Sequence, residues 1–189
     1  MAEVIVFHHA LGLTEGVGAF ADELRAAGHS VHAPDLYEGR TFGTVDEGVD
    51  HAREIGFGTI LERGRAAVEG LPNELVYAGF SLGVMPAQDL AQTRPGAKAA
   101  LFFHAAMPPS GFETEWPKGV PVQIHIMEGD NGEGDVDVAR EFAATVGEAE
   151  LFLYAGDEHL FMDRTLPSYD ETAAKLVSQR VLEFLDRLR

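Results

Sequence analysis

The sequence predicts an α/β fold, a mainly parallel sheet of about six to seven strands with helices on both faces. Three observations carry this. Short β-branched apolar runs recur along the chain without polar alternation, as strands buried on both faces require. Segments with apolar residues at helical spacing lie between them. The links are short and rich in glycine and proline, so strand, helix, strand passages read as crossovers between parallel strands.

Glu3-Val4-Ile5-Val6-Phe7 is the first strand, followed by the loop His8 to Leu13. Thr14 suits an N-cap, and Val17, Phe20, Ala21, Leu24 and Ala27 recur at helical spacing up to Gly28. Ser30 to Ala33 is a second strand, stopped by Pro34-Asp35. Residues 36 to 56 are acidic and broken by four glycines, which predicts a loop and a short helix. Ile60 to Glu69 is a clearer helix, closed by Gly70-Leu71-Pro72. Leu75 to Ala78 is a buried run, and a helix leaves from Val84 to Arg94 with Pro86 in its first turns, where a missing N–H costs little. Ala97 to Phe103 is the next strand, then a loop over 105–119 rich in proline and glycine. The strand Pro121 to Met127, the helix Asp135 to Val146 and the strand Glu150 to Tyr154 follow. Ser168 or Asp170 caps a last helix with Leu176, Val177, Val181, Phe184, Leu185 and Leu188 on one stripe.

No repeat or linker divides the 189 residues, so one domain over 1–189 is expected. Apolar content of 46% suits a globular core. A formal charge of -17 argues against nucleic acid and anionic membranes as partners, and serves solubility. No run reaches membrane-spanning length and no signal pattern opens the chain, so the expected location is cytoplasmic. The absence of cysteine excludes disulfides, thiolate metal sites and a cysteine nucleophile.

The chemistry centres on Gly79-Phe80-Ser81-Leu82-Gly83, a G-x-S-x-G motif between a strand and a helix. A serine on so sharp a turn is pushed clear of the backbone at the carboxyl edge of the sheet. Its hydroxyl needs a base, and the base a carboxylate to orient it. His159 fits the first role, on the loop after the strand Glu150 to Tyr154. His8, His9 and His104 also fall at strand ends, whereas His125 lies inside a strand and reads as structural. Asp130 fits the acid, directly after Met127, with Asp135 and Asp137 as rivals. The order Ser81, Asp130, His159 is that of the α/β-hydrolase fold. The N–H of Leu82 is one oxyanion donor, and Ala10 or Leu11 offers the other. His9, Leu11, Phe80, His104, Trp116 and the 105–119 loop flank these positions and are the candidate pocket lining.

Other readings are weaker. Gly16-x-Gly18-x-x-Ala21 resembles a dinucleotide fingerprint, but a whole loop separates it from the strand it should follow. The segment 130–137 is calcium-like in composition and wrong in spacing. His8, His9 and His104 lack metal-ligand spacing. No cofactor and no metal are implied.

Several segments resemble the dienelactone hydrolase family: Ala33-Pro34-Asp35-Leu36-Tyr37, the Ser81 motif, Met127-Glu128-Gly129-Asp130, and Tyr154-Ala155-Gly156-Asp157-Glu158-His159-Leu160-Phe161. The last is similar to the family's Y-x-G-x-x-H-x-F around its catalytic histidine. The resemblance implies a hydrolase with Asp130 as the acid and His159 as the base. The family's best-known members carry cysteine at the Ser81 position and a glutamate where His9 stands here. Both departures together are consistent with an ordinary serine mechanism on a small ester or lactone. A catalytically silent ligand-binding protein, a thioesterase and an acyl transferase are the alternatives.

Overall fold

The computed structural model describes residues 1–130 and 135–188. Its strands are β1 (Glu3–Phe7), β2 (Ser30–His32), β3 (Val76–Phe80), β4 (Ala99–Phe103), β5 (Val122–Met127) and β6 (Ala149–Tyr154). They form one sheet of six strands in the order β2-β1-β3-β4-β5-β6, and every pair is parallel. The helices are α1 (Glu15–Ala26), α2 (Val45–Ile55), α3 (Phe57–Ala67), α4 (Val84–Thr93), α5 (Asp135–Thr145) and α6 (Glu171–Arg187).

Strand alternation sorts the core into two layers. Val4, Val6, Val76, Ala78, Leu101 and Phe103 face α1 and α6, whose Phe20, Leu24, Val177, Val181 and Phe184 cover them. Ile5, Phe7, Tyr77, Phe102, Ile124 and Ile126 point the other way, onto Ile60 of α3, Leu90 of α4 and Phe142 of α5. Both faces of the central strands are sealed, which explains their unbroken apolar runs. The chain winds from β1 outward to β2, then returns to place β3 on the other side of β1. This reversal opens a crevice at the carboxyl ends of β1 and β3, the usual place for a site in such sheets.

Three expectations change. Residues 36 to 56 hold α2, a full helix of 11 residues, rather than a loop and a short helix. Thr44 and Glu47 form a reciprocal capping box at its start. The helix read as Ile60 to Glu69 begins at Phe57 and ends at Ala67. Leu176 leaves the buried stripe of α6 and is 39% exposed, because it sits about 100° around the helix from Val177. The two caps are as the residue types suggest. Thr14 accepts from the N–H of Val17, and Asp170 accepts from that of Ala173. No helix among the described residues is long and apolar enough to cross a membrane.

Candidate active site

β3 ends at Phe80, and the chain turns sharply through Ser81–Gly83 into α4. Ser81 has φ 48°, a left-handed conformation that a non-glycine residue rarely adopts. The flanking glycines are needed for space. A Cβ at Gly79 would stand 2.2 Å from the carbonyl oxygen of Gly83, and one at Gly83 would stand 2.4 Å from that of Phe7. The turn is thus wedged against the end of β1, and the Ser81 hydroxyl projects at the mouth of the crevice.

Ser81 Oγ lies 2.8 Å from Nε2 of His159, and Nδ1 of His159 lies 2.6 Å from Oδ2 of Asp130. With Nδ1–H donating to the buried carboxylate, Nε2 presents its lone pair to the hydroxyl. Two loops hold this chain. The N–H of Glu128 donates to Tyr154 O at 2.8 Å, and that of Gly129 donates to Gly156 O at 2.8 Å. A Cβ at Gly129 would come within 2.9 Å of Gly156 O, so glycine lets the two loops close. Of the rival acids, Asp137 is exposed and paired to Arg140 at 3.2 Å, one turn along α5. The side chain of Asp135 and residues 131–134, which include most of the calcium-like stretch, lie outside the described residues.

A cavity of about 380 Å³ opens over Ser81 and His159. Ala10 and Leu82 lie on its wall beside Ser81. Val45, Val49 and Arg53 of α2 line one side at positions i, i+4 and i+8, joined by Phe57 at the start of α3. Met85 and the segment Ala105–Met107 complete it. The lining is apolar apart from Arg53 and the reactive groups. A Cβ at Gly48 would stand 2.0 Å from Ala10 O, so α2 lies directly on the loop after β1.

The 105–119 loop reaches this cavity through Ala105–Met107, but none of the five side chains singled out to line it does so. Phe80 stacks on Phe103 with centroids 4.6 Å apart, inside the layer beneath α1. Trp116 donates from Nε1 to Val120 O at 2.8 Å and sets its ring against Phe142 at 5.2 Å, covering the other layer. Leu11 is buried, and its N–H donates to Nδ1 of His9 at 3.3 Å. His9 itself is buried, with Nε2 at 2.8 Å from Oδ2 of Asp163. His104 lies behind His159, ring centroids 5.8 Å apart, with neither ring nitrogen paired. Sequence neighbours of a strand end alternate between the two faces of the sheet, so proximity in the chain does not aim a side chain at the site. Of the residues that were missed, Val45, Val49 and Arg53 belong to the stretch least legible as a helix, and Phe57 directly follows it at the start of α3. The signal of α2 was Thr44-x-x-Glu47 followed by the i, i+4 valines.

Burial sets the charge state of the surrounding imidazoles. It lowers His8 to about 4 and His125 to about 3, and holds His104 well below its ordinary value. His8 is still satisfied, with Nδ1 2.7 Å from His9 O and Nε2 accepting from the N–H of Leu36. His125 lies 2.8 Å from the hydroxyl of Tyr154. Burial pushes the Asp163 carboxyl upward, but hydrogen bonds from His9, Thr14 and Thr165 outweigh it and hold the group below the usual carboxylate range. Among the described residues no cluster of acidic and histidine side chains is arranged to hold a metal ion. Gly16 and Gly18 lie inside α1, and Gly16 is covered by the Asp163 carboxylate, so they form no strand-to-helix phosphate turn.

A parallel sheet with a serine elbow after β3, and helices on both faces, defines an α/β-hydrolase fold. The chain belongs to the dienelactone hydrolase family, whose model matches residues 1–188. A dienelactone hydrolase-like promiscuous phosphotriesterase from metagenomic libraries shares its fold at TM-score 0.73 and 19% identity, over 100% of this chain and 87% of that one. A protein from Klebsiella pneumoniae assigned as a dienelactone hydrolase superposes at TM-score 0.74 and 20% identity, over 98% and 87%. One from Xanthomonas campestris, assigned to the α/β superfamily of hydrolases, matches at TM-score 0.64 and 23% identity over 99% of both chains.

Proposed function

We propose that this protein is a serine hydrolase that cleaves a small carboxylic ester or lactone through an acyl-serine intermediate. The observation that carries the reading is the unbroken chain from Asp130 through His159 to Ser81, opening on one cavity. Ser81 Oγ attacks the substrate carbonyl while Nε2 of His159 takes its proton. Asp130 keeps the ring in its Nδ1–H tautomer and stabilises the imidazolium that forms. The substrate oxygen becomes an anion and is met by the N–H of Leu82, at the positive end of the α4 helix, and by that of Ala10. The Leu11 N–H already serves His9, which favours Ala10 as the second donor. The tetrahedral intermediate collapses, and His159 returns the proton to the leaving alkoxide. In a lactone that alkoxide stays tethered to the acyl group. Water then attacks the ester, with His159 as base, and frees Ser81. The apolar wall from Val45, Val49, Phe57 and Met85 supports a hydrocarbon acyl or alcohol portion. The sequence of steps calls on no cofactor.

The test is hydrolysis of p-nitrophenyl acetate and labelling by a fluorophosphonate. The parent protein should do both. Ser81→Ala should do neither while keeping its circular dichroism spectrum. A parent that is folded yet neither labelled nor active would be a ligand-binding member of the fold. A panel of thioesters and alcohol acceptors separates thioesterase and acyl-transfer chemistry from ester hydrolysis.

A further inference from the structure

The serine chemistry uses one imidazole–carboxylate pair, yet the molecule contains another. His9 and Asp163 are 2.8 Å apart, and both are almost wholly buried. Asp163 is saturated with donors. Oδ2 also accepts from the hydroxyl of Thr14 at 2.6 Å, and Oδ1 accepts from the N–H of Thr165 at 2.8 Å and from its hydroxyl at 2.6 Å. A Cβ on Gly16 would overlap the carboxylate, so the start of α1 is cut away to admit it. The carboxylate thus joins the loop after β1, the first turn of α1 and the loop after β6. That last loop is also the one that carries His159.

The far side of the His9 ring is equally constrained. Nδ1 accepts from the N–H of Leu11 at 3.3 Å, so it carries no proton, and Nε2–H donates to Asp163. The peptide between Ala10 and Leu11 is therefore held from its nitrogen by His9. On its other side Gly48 packs against the Ala10 carbonyl. We infer that His9 and Asp163 are positioning residues for the oxyanion site: Asp163 sets the rotation and tautomer of His9, and His9 Nδ1 fixes the Leu11 N–H so that the Ala10 N–H stays turned to the cavity. This rests on the ester-hydrolase reading above for the use to which the Ala10 donor is put. It links two parts of the site through five residues of one loop, His159 to Asp163. The base and the second oxyanion donor cannot shift independently.

Two replacements divide the ring between its nitrogens. Asn at position 9 puts an acceptor where Nδ1 stands and omits the reach to Asp163. Gln puts a donor where Nε2 stands and omits the acceptor for Leu11. His9→Gln should lower kcat for p-nitrophenyl acetate about 10²-fold, the scale of losing one oxyanion donor, with KM within about threefold. His9→Asn should stay within about tenfold of the parent. The low-field proton between His159 and Asp130 should persist in both, and exchange of the Leu11 amide should quicken in His9→Gln alone. Equal kcat values for the two variants, or a loss that tracks the low-field proton, would overturn the assignment. The tautomer is also measurable in the unaltered protein by a long-range proton–nitrogen NMR spectrum. A proton on Nε2 of His9 is expected, and a proton on Nδ1 sinks the idea whether or not either variant folds. If the parent hydrolyses no ester, the functional reading fails while this spectrum still decides on the pair. If the parent is active and the order of the variants fails, only the positioning role falls.

Discussion

His159–Asp130 and His9–Asp163 are the same chemical unit in two settings. Each is an imidazole whose ring N–H meets a nearly inaccessible carboxylate, at 2.6 and 2.8 Å. What separates them is the partner of the other nitrogen. His159 presents it to a hydroxyl at the floor of a cavity, and His9 presents it to a backbone N–H sealed from solvent. A lone pair facing a hydroxyl beside open space can take a proton during a reaction. A lone pair facing an amide can only hold that amide still. The lesson is that an imidazole–carboxylate pair acquires its role from its third member.

The comparison is broken most severely at the first pair. His159→Ala should lower kcat by about 10⁴-fold or more, and Asp130→Asn by about 10⁴-fold through the wrong tautomer, with folding unchanged. Steady-state hydrolysis and thermal melts together check this. At the second pair the larger effect is on stability. Asp163→Ala removes one partner of a buried pair and strands the donors of His9, Thr14 and Thr165. It should cost about 3–5 kcal/mol in urea unfolding, whereas Asp130→Ala should cost less, because its partner His159 reaches solvent.

Acid acts differently on the buried imidazoles outside these two pairs. His8, His104 and His125 are neutral when folded, with values lowered by burial, and near 6.5 when unfolded. Between pH 6.5 and about 4 the unfolded chain binds protons that the folded one refuses, so stability falls as pH falls. Three such groups give a slope approaching about 4 kcal/mol per pH unit below pH 6. Urea midpoints from pH 7.5 to 5 read this directly, and His125→Phe should flatten the slope by about a third. The smallest effect is expected at Asp137, whose only described partner is Arg140. Asp137→Ala should change kcat less than about twofold, separating the acid of the chain from its neighbour on α5.

Much of the architecture was legible because central strands sealed on both faces must be continuously apolar, as in Val4 to Phe7 and Ala99 to Phe103. Ser81, Asp130 and His159 were legible as neighbours because each follows a different strand of one parallel sheet, and all carboxyl ends meet at one edge. The cavity wall was not. Gly48 lowers the apparent helical character of 45–55, yet it is there because Ala10 O leaves no room for a side chain. Trp116 and Phe80 misled for the opposite reason, since large aromatics beside a site serve the core first. The Asp163 network was invisible in the sequence. Its members His9, Thr14 and Thr165 are scattered over more than 150 positions, and no local spacing connects them.

The contact between Gly48 and the Ala10 carbonyl bears on how this protein can diversify. Gly48 pins α2 to the backbone that would hold the substrate oxygen, while Val45, Val49 and Arg53 of the same helix line the cavity. Substrate range can therefore drift by exchanging those three side chains, but not by sliding the helix that bears them. A library randomised at 45, 49 and 53 with glycine kept at 48 samples new substrates on an unchanged frame; one that also varies 48 spends most of its members on a displaced loop.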